Sequence, residues 1–332
     1  MRPRLRDDVH FLPSPQGVAV LAGERSLVLP AAAHPWLERI RPYLDGHHEL
    51  DELVAPLAPA QRSSVVSLVT LLHRETYVRD AADDLPHQLS PAVRREHARL
   101  IAFIGLGADS PEYRFQAYRE CAPVVVGAGR LFAAVTTALL ASGVRRLWVS
   151  PTTGGSPAVV TDLDRLRACV APLLARDPES RVDQLLDEPD DVTELGSRLV
   201  LYACDAPDRA QAQRLRARAQ RAGIAFGSVV VDGDRAVVSP VAVPVAGERA
   251  DVPDVPDVRS GPVSRYLGGP TAALAANQLC LHALRQFAGL DEVDTSGGTG
   301  ARSTRVVLDL LSASRVEDDS ERGAGVPQEA VR

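Results

Sequence analysis

A β-branched run, Val124-Val125-Val126, leads into Gly127-Ala128-Gly129; an Ala-rich segment follows, and Leu147, Trp148 and Val149 start a second apolar run. Glycines at that spacing, between a strand and a helix, are where a backbone offers its N–H groups to a pyrophosphate, so the chemistry in question is dinucleotide or ATP binding. Two residues that should complete it are changed. The third glycine of G-x-G-x-x-G, which lets helix and strand pack closely, is Phe132, and Ser150 stands where an acidic residue would hold a ribose hydroxyl. Asp205 ends another apolar run, Ser197 to Asp205, where a carboxylate either meets magnesium or caps the next helix. All 37 Lys+Arg residues are arginine, which leaves no lysine for a phosphate ligand, a Schiff base or a general base. Part of that bias is codon usage, in keeping with the Ala-, Arg- and Val-rich composition. Gly127, Gly129 and Asp205 are therefore expected to be a vestigial nucleotide site, with no catalytic residue, no metal site and no cofactor.

These residues need a βαβ frame, and the pattern around them supplies one. An arginine-bearing helix is expected over 162–174 and a strand over 197–205. A helix over 209–221 follows, then a hairpin over 224–240 with its turn at Asp232-Gly233, a helix from a Thr271 cap to Gly289, and a late strand over 304–311. Ile101 to Gly107 has the look of another strand-to-glycine turn, but Pro111 and a charged segment follow instead of an apolar crossover helix. Arginines 214, 216, 218 and 221 are expected to form a solvated helix face, and His47-His48 a solvated turn.

Upstream, three short β-branched runs (9–12, 17–23 and 26–30) precede three helices (34–46, 50–58 and 59–74), the last with Val65, Leu68, Val69 and Leu72 on one stripe. That order predicts a winged helix-turn-helix. The boundaries expected are 1–80 for this domain, 81–97 for a polar, Pro-containing linker, 98–316 for a Rossmann-like α/β domain and 317–332 for a disordered tail.

At 332 residues and 45% hydrophobic content the chain can bury two cores. A net charge of −6 argues against nucleic acid, and the third helix offers few base-reading side chains. No apolar run approaches a membrane span, nor does the N-terminus resemble an export signal, so a cytoplasmic protein is expected. Cys121, Cys169, Cys204 and Cys280 lack metal-ligand spacing and are expected as buried free thiols.

Three stretches, GAGRLFAAVTTALLASGVRRLWV, LVLYACD and GPVSRYLGGPTAALAANQLCLHALRQFAGL, resemble the ThiF-like, ubiquitin-activating-type superfamily of adenylating enzymes, in the branch that works with YcaO cyclodehydratases on ribosomal peptide natural products. In that family a zinc C-x-x-C precedes the Ala-rich helix, whereas here Val263, Ser264, Arg265 and Tyr266 occupy the place. The family's ATP-binding acidic residue and lysine are likewise replaced, by the segment Ser150 to Gly155 and by Arg167. The resemblance implies a degenerate ThiF-type domain behind a leader-peptide recognition element. The expected function is to bind a precursor leader as an added strand along Ser26, Leu27, Val28 and Leu29. A groove against the third helix, at Arg62, Val65, Val66, Val69 and His73, would supply selectivity, and the peptide would be presented to a YcaO cyclodehydratase for azoline formation of the thiopeptide type. A homodimer is left open. The alternatives are an active ATP-dependent adenylating enzyme and a winged-helix DNA-binding regulator.

Overall fold

In the computed structural model, residues 1–152, 156, 159–185, 192–243, 267–290, 305–312 and 314–316 are described. They belong to two compact units, Met1–Gln116 and Ala117–Arg332.

The first unit opens with β1 (Pro3–Leu5), then β2 (His10–Ser14), β3 (Gly17–Ala22) and β4 (Arg25–Leu29), an antiparallel meander in the order β2-β3-β4. The period of two in β3 turns Val18, Val20 and Ala22 inward. There they meet α1 (His34–Ile40), α2 (Leu50–Val54) and α3 (Pro59–Arg74), whose Val65, Leu68, Val69 and Leu72 form the buried stripe the spacing predicts. After α3, β5 (Val78–Asp80) returns to pair antiparallel with β1, a pairing the sequence did not announce because each strand is only three residues long.

Residues 81–97, expected as a linker, carry a short 3-10 turn at Ala81–Asp83 and helix α4 (Pro91–Glu96), with Ser90 accepting from the Val93 N–H as its cap. Next come α5 (Ala98–Gly107) and α6 (Pro111–Arg119). The run at 101–107 is thus helical rather than strand-like, and it buries Ile101 and Ile104 at helical spacing. A charge network joins this part of the unit to the β1–β5 pair. Arg4 donates to Glu112 at 2.6 Å, Arg79 pairs with Asp84, and the Asp84 carboxylate accepts from the Ser110 N–H at 3.0 Å. Burial pushes the Glu112 carboxyl up, but the Arg4 and Arg79 charges and the Arg4 hydrogen bond outweigh it and hold the group below its ordinary value.

The second unit runs β6 (Val124–Ala128), α7 (Gly129–Ala141), β7 (Arg146–Pro151), α8 (Leu163–Arg176), β8 (Arg181–Gln184), β9 (Leu199–Cys204), α9 (Arg209–Ala222), β10 (Ala225–Asp232), β11 (Arg235–Val238), α10 (Gly269–Ala288), β12 (Val306–Asp309) and β13 (Arg315–Val316). Among the described residues these strands form one eight-stranded sheet in the order β13-β12-β11-β10-β9-β6-β7-β8. From β8 to β10 all pairings are parallel, and from β10 to β13 all are antiparallel. This is the expected Rossmann-like α/β arrangement. Strands β6 and β9 are fully buried, as crossover-covered parallel strands must be. The chain leaves β6 for β7 on one side and returns to β9 on the other, so the switch point lies at the C-terminal ends of β6 and β9. Strand β8 is an addition to the expected elements, its sequence Arg-Val-Asp-Gln being too polar to announce an edge strand. The last long helix starts at Gly269, with Pro270 in its first turn, rather than at a Thr271 cap; the Thr271 hydroxyl donates to the Gly268 carbonyl. The tail at 317–332 lies outside the described residues.

Arg119 fixes the loops at the far end of this sheet. It is 2% exposed and bonds Asp177 through both terminal nitrogens, at 2.6 and 3.1 Å, with a third bond to the Gly143 carbonyl. Removing Asp177 leaves the buried Arg119 charge only the more distant, half-exposed Glu179 at 3.6 Å, so Asp177→Ala is expected to cost about 3 kcal/mol in denaturant unfolding. In the first unit, a carboxyl held below its unfolded value stabilises the fold above that value and loses this contribution as pH falls through the folded one. Glu112→Gln is accordingly expected to lower the unit's melting temperature at pH 7 and to flatten its decline in acid, read by thermal scans across pH 3–7.

Candidate functional site

The two places singled out by the sequence are the turn between β6 and α7 and the outer edge of β4. At the turn, glycine is required twice. Gly127 has φ +153°, and a Cβ there would lie 1.8 Å from the Ala203 carbonyl oxygen, so its absence lets β6 run against β9. Gly129 has φ +85°, and a Cβ would lie 2.3 Å from an Asp205 carboxylate oxygen.

That carboxylate decides what the turn can do. A helix start leaves N–H groups without intrahelical partners, and these are what a phosphate would engage. At α7 they are answered from within the protein. The Gly129 N–H donates to Thr161 Oγ1 at 2.9 Å, the Arg130 N–H to Asp205 Oδ2 at 2.7 Å and the Leu131 N–H to Asp205 Oδ1 at 2.8 Å. Asp205 is 8% exposed; burial raises its pKa, opposed by the two N–H groups and the Arg130 charge, and the net displacement is upward. The sequence left open whether Asp205 met magnesium or capped the following helix. The following helix, α9, is capped by Asp208, which accepts from the Ala210 and Gln211 N–H groups, and Asp205 caps α7 instead. Phe132, at the third-glycine position, is wholly buried, and Ser150 is 2% exposed. A phosphate at this turn would have to displace these contacts, since the N–H groups it would engage are already paired with Asp205 and Thr161. The positions at 153–155, and Val263, Ser264, Arg265 and Tyr266 where relatives carry zinc ligands, lie outside the described residues.

At β4 the backbone is the feature. Gly23-Glu24 is a two-residue loop between Ala22 and Arg25, which face each other in register, and Gly23 at φ +57° suits the first position of a hairpin turn. Such a turn closes with a hydrogen bond between its flanking residues, and bonded and non-bonded pairs then alternate along the ladder. Arg25, Leu27 and Leu29 therefore spend their main-chain groups on β3, whereas Ser26 and Val28 direct their N–H and C=O outward. The other edge is built differently. The same count from Ser14 and Gly17 on β2 puts Pro13 at an outward position, so that edge lacks a donor there.

Of the residues expected to touch a peptide, Ser26, Val28, Arg62 and His73 are exposed and Leu27 and Val66 half-buried. Leu29 (2%), Val65 (2%) and Val69 (0%) are buried in the core, Val65 and Val69 in the stripe that packs α3 and Leu29 at the end of β4. The spacing of Val65 and Val69 carried that signal. The Arg62 guanidinium donates to the Ala55 carbonyl, and His73 Nδ1 lies 3.1 Å from the Val78 carbonyl. Cys121, Cys204 and Cys280 are buried, with the Cys121 thiol pushed up to about 12 by burial; Cys169 is exposed, contrary to expectation, on the outer side of α8. His48 sits 4.0 Å from Asp45 in the expected turn. Among the described residues no cluster of metal-ligating side chains occurs, and no helix is long and apolar enough to cross a membrane.

No protein-family model matches the sequence, and no curated protein matches it. Solved structures do match in fold. E. coli MccB, solved with ATP, is 13% identical with a TM-score of 0.59, over 95% of this chain and 96% of that one. The microcin C7 biosynthetic enzyme MccB in complex with N-formylated MccA is 14% identical with a TM-score of 0.57, over 93% and 94%. PaaA is 16% identical with a TM-score of 0.60, over 94% and 98%.

If Asp205 is the resident anion of the α7 turn, Asp205→Ala strands two buried N–H groups. Unfolding in urea should show a loss of about 1–3 kcal/mol; a loss below about 0.5 kcal/mol would mean the carboxylate is not what holds the turn.

Proposed function

We propose that this protein binds the leader of a ribosomal precursor peptide as an extra strand on β4 and presents it to a YcaO cyclodehydratase, without adenylating the peptide itself. The observation that carries the reading is the open β4 edge. Ser26 and Val28 point consecutive donors and acceptors outward from a Pro-free strand, while Pro13 interrupts the opposite edge. A peptide added to an open edge gains affinity from main-chain bonds, and its alternate side chains face α3, where Leu27 and Val66 are half-buried beside exposed Arg62 and His73. We take Met1–Asp80 as the recognition element, of winged-helix type, and the second unit as a degenerate ThiF-type scaffold. Fold likeness to MccB, a microcin C7 biosynthetic enzyme solved with MccA, is in keeping with this reading.

A second reading, an active ATP-dependent adenylating enzyme, is favoured by MccB having also been solved with ATP. Opposing it is Asp205, which sits on the donors a phosphate would use. Isothermal calorimetry with ATP and magnesium separates the two: no heat of binding is expected, and stoichiometric micromolar binding or release of pyrophosphate would establish the second.

The β4 site has its own test. Val28→Pro removes an outward N–H while leaving the β3 ladder its bonds. In fluorescence anisotropy with the labelled precursor, affinity should drop at least about tenfold in the folded variant, the scale of a main-chain hydrogen bond lost with its desolvated partner left behind. Unchanged affinity would move the site elsewhere. With a YcaO partner added, heterocycle formation on leader-bearing substrate should depend on this protein far more than formation on a leaderless core, because tethering replaces an encounter with an effective concentration on the order of millimolar.

A further inference from the structure

Thr76 is the first residue beyond the α3 C-cap and has φ +64°, in the left-handed region. Glycine or asparagine is the ordinary occupant at this point of a helix terminus, since a β-branched side chain is crowded there. The turn itself is regular, with the Thr76 N–H donating to the His73 carbonyl at 2.9 Å and the Tyr77 N–H to the Leu72 carbonyl at 2.8 Å. A strained residue persists where its side chain has a use, and functional sites are where such residues collect. The Thr76 hydroxyl has one: it accepts a hydrogen bond from the guanidinium of Arg25, the first residue of β4. Glycine would have relaxed the turn and lost that acceptor.

The bond therefore spans from the C-terminal end of α3 to the start of β4, the two elements that wall the proposed peptide site. It lies beside Ser26, the first residue with an outward N–H. Among the described residues no other hydrogen bond or ion pair holds the Arg25 side chain, and the hairpin turn at Gly23-Glu24 joins that end of β4 to β3. We infer that Thr76 is a positioning residue for peptide recognition, whose hydroxyl holds Arg25 and with it the spacing between β4 and α3, at a cost in fold stability. The inference rests on the β4 reading above and adds to it a trade-off between stability and affinity that a purely structural residue would not show.

The experiment uses the full-length protein and a labelled peptide selected on it from a displayed library of extended segments, keeping only peptides whose binding is lost in Val28→Pro. Thr76→Gly is expected to raise the melting temperature by about 2–4 °C and to weaken that peptide about fivefold, the scale of one hydrogen bond. Thr76→Asn tolerates the left-handed backbone and still offers an acceptor, so it should raise the melting temperature while keeping wild-type affinity. Arg25→Ala should weaken the peptide as Thr76→Gly does, with no further loss in the double variant. Wild-type affinity in Thr76→Gly would overturn the inference and leave the β4 site standing. Failure to recover any peptide sensitive to Val28→Pro would remove the β4 site and the inference together.

Discussion

Two N–H groups at the start of α7 have no partner within the helix and need acceptors, and the second unit provides them itself. The Asp205 carboxylate, bonded at 2.7 and 2.8 Å, lies at the switch point of the sheet, where a Rossmann-like fold ordinarily meets a phosphate. Gly129 is glycine because this carboxylate lies where its Cβ would be, and Thr161 completes the set by accepting from the Gly129 N–H. The N–H groups of the turn are thus answered by the residue that follows β9. The unit keeps a large apolar core around its sheet.

In the first unit the feature of interest is main-chain, the outer edge of β4. Sheet edges are a liability, and proteins blunt them with proline, charge or cover. Here β2 carries Pro13 at an outward position, whereas β4 offers Ser26 and Val28 with nothing but Arg25 at its start. The two edges of the meander thus differ in the main-chain groups they present.

Much of this was legible in the sequence. The strand-glycine-helix order around Gly127 and Gly129, the α3 stripe and the three-strand meander follow from periods of 3.6 and 2 and from glycine at turns. What escaped the sequence did so for physical reasons. The run at 101–107 is apolar throughout, and a short apolar run does not distinguish helix from strand. Strands β1, β5 and β8 are short and polar, and become strands only through partners far along the chain. The role of Asp205 was hidden for the same reason, since its hydrogen-bond partners lie 74 and 75 residues away; Asp208, three residues on, took the local capping role. Val65 and Val69 were read both as core and as contact residues and Leu29 as a contact residue, and all three are buried.

Amide hydrogen exchange with and without bound precursor peptide tests the central claim most directly, because it reads the outward N–H groups themselves. The account predicts added protection at Ser26 and Val28, none at Phe11 on the opposite edge, and no change at Arg130 and Leu131, whose N–H groups are already held by Asp205. Protection confined to the α7 turn or to β2, with Ser26 and Val28 exchanging as in the free protein, would contradict it.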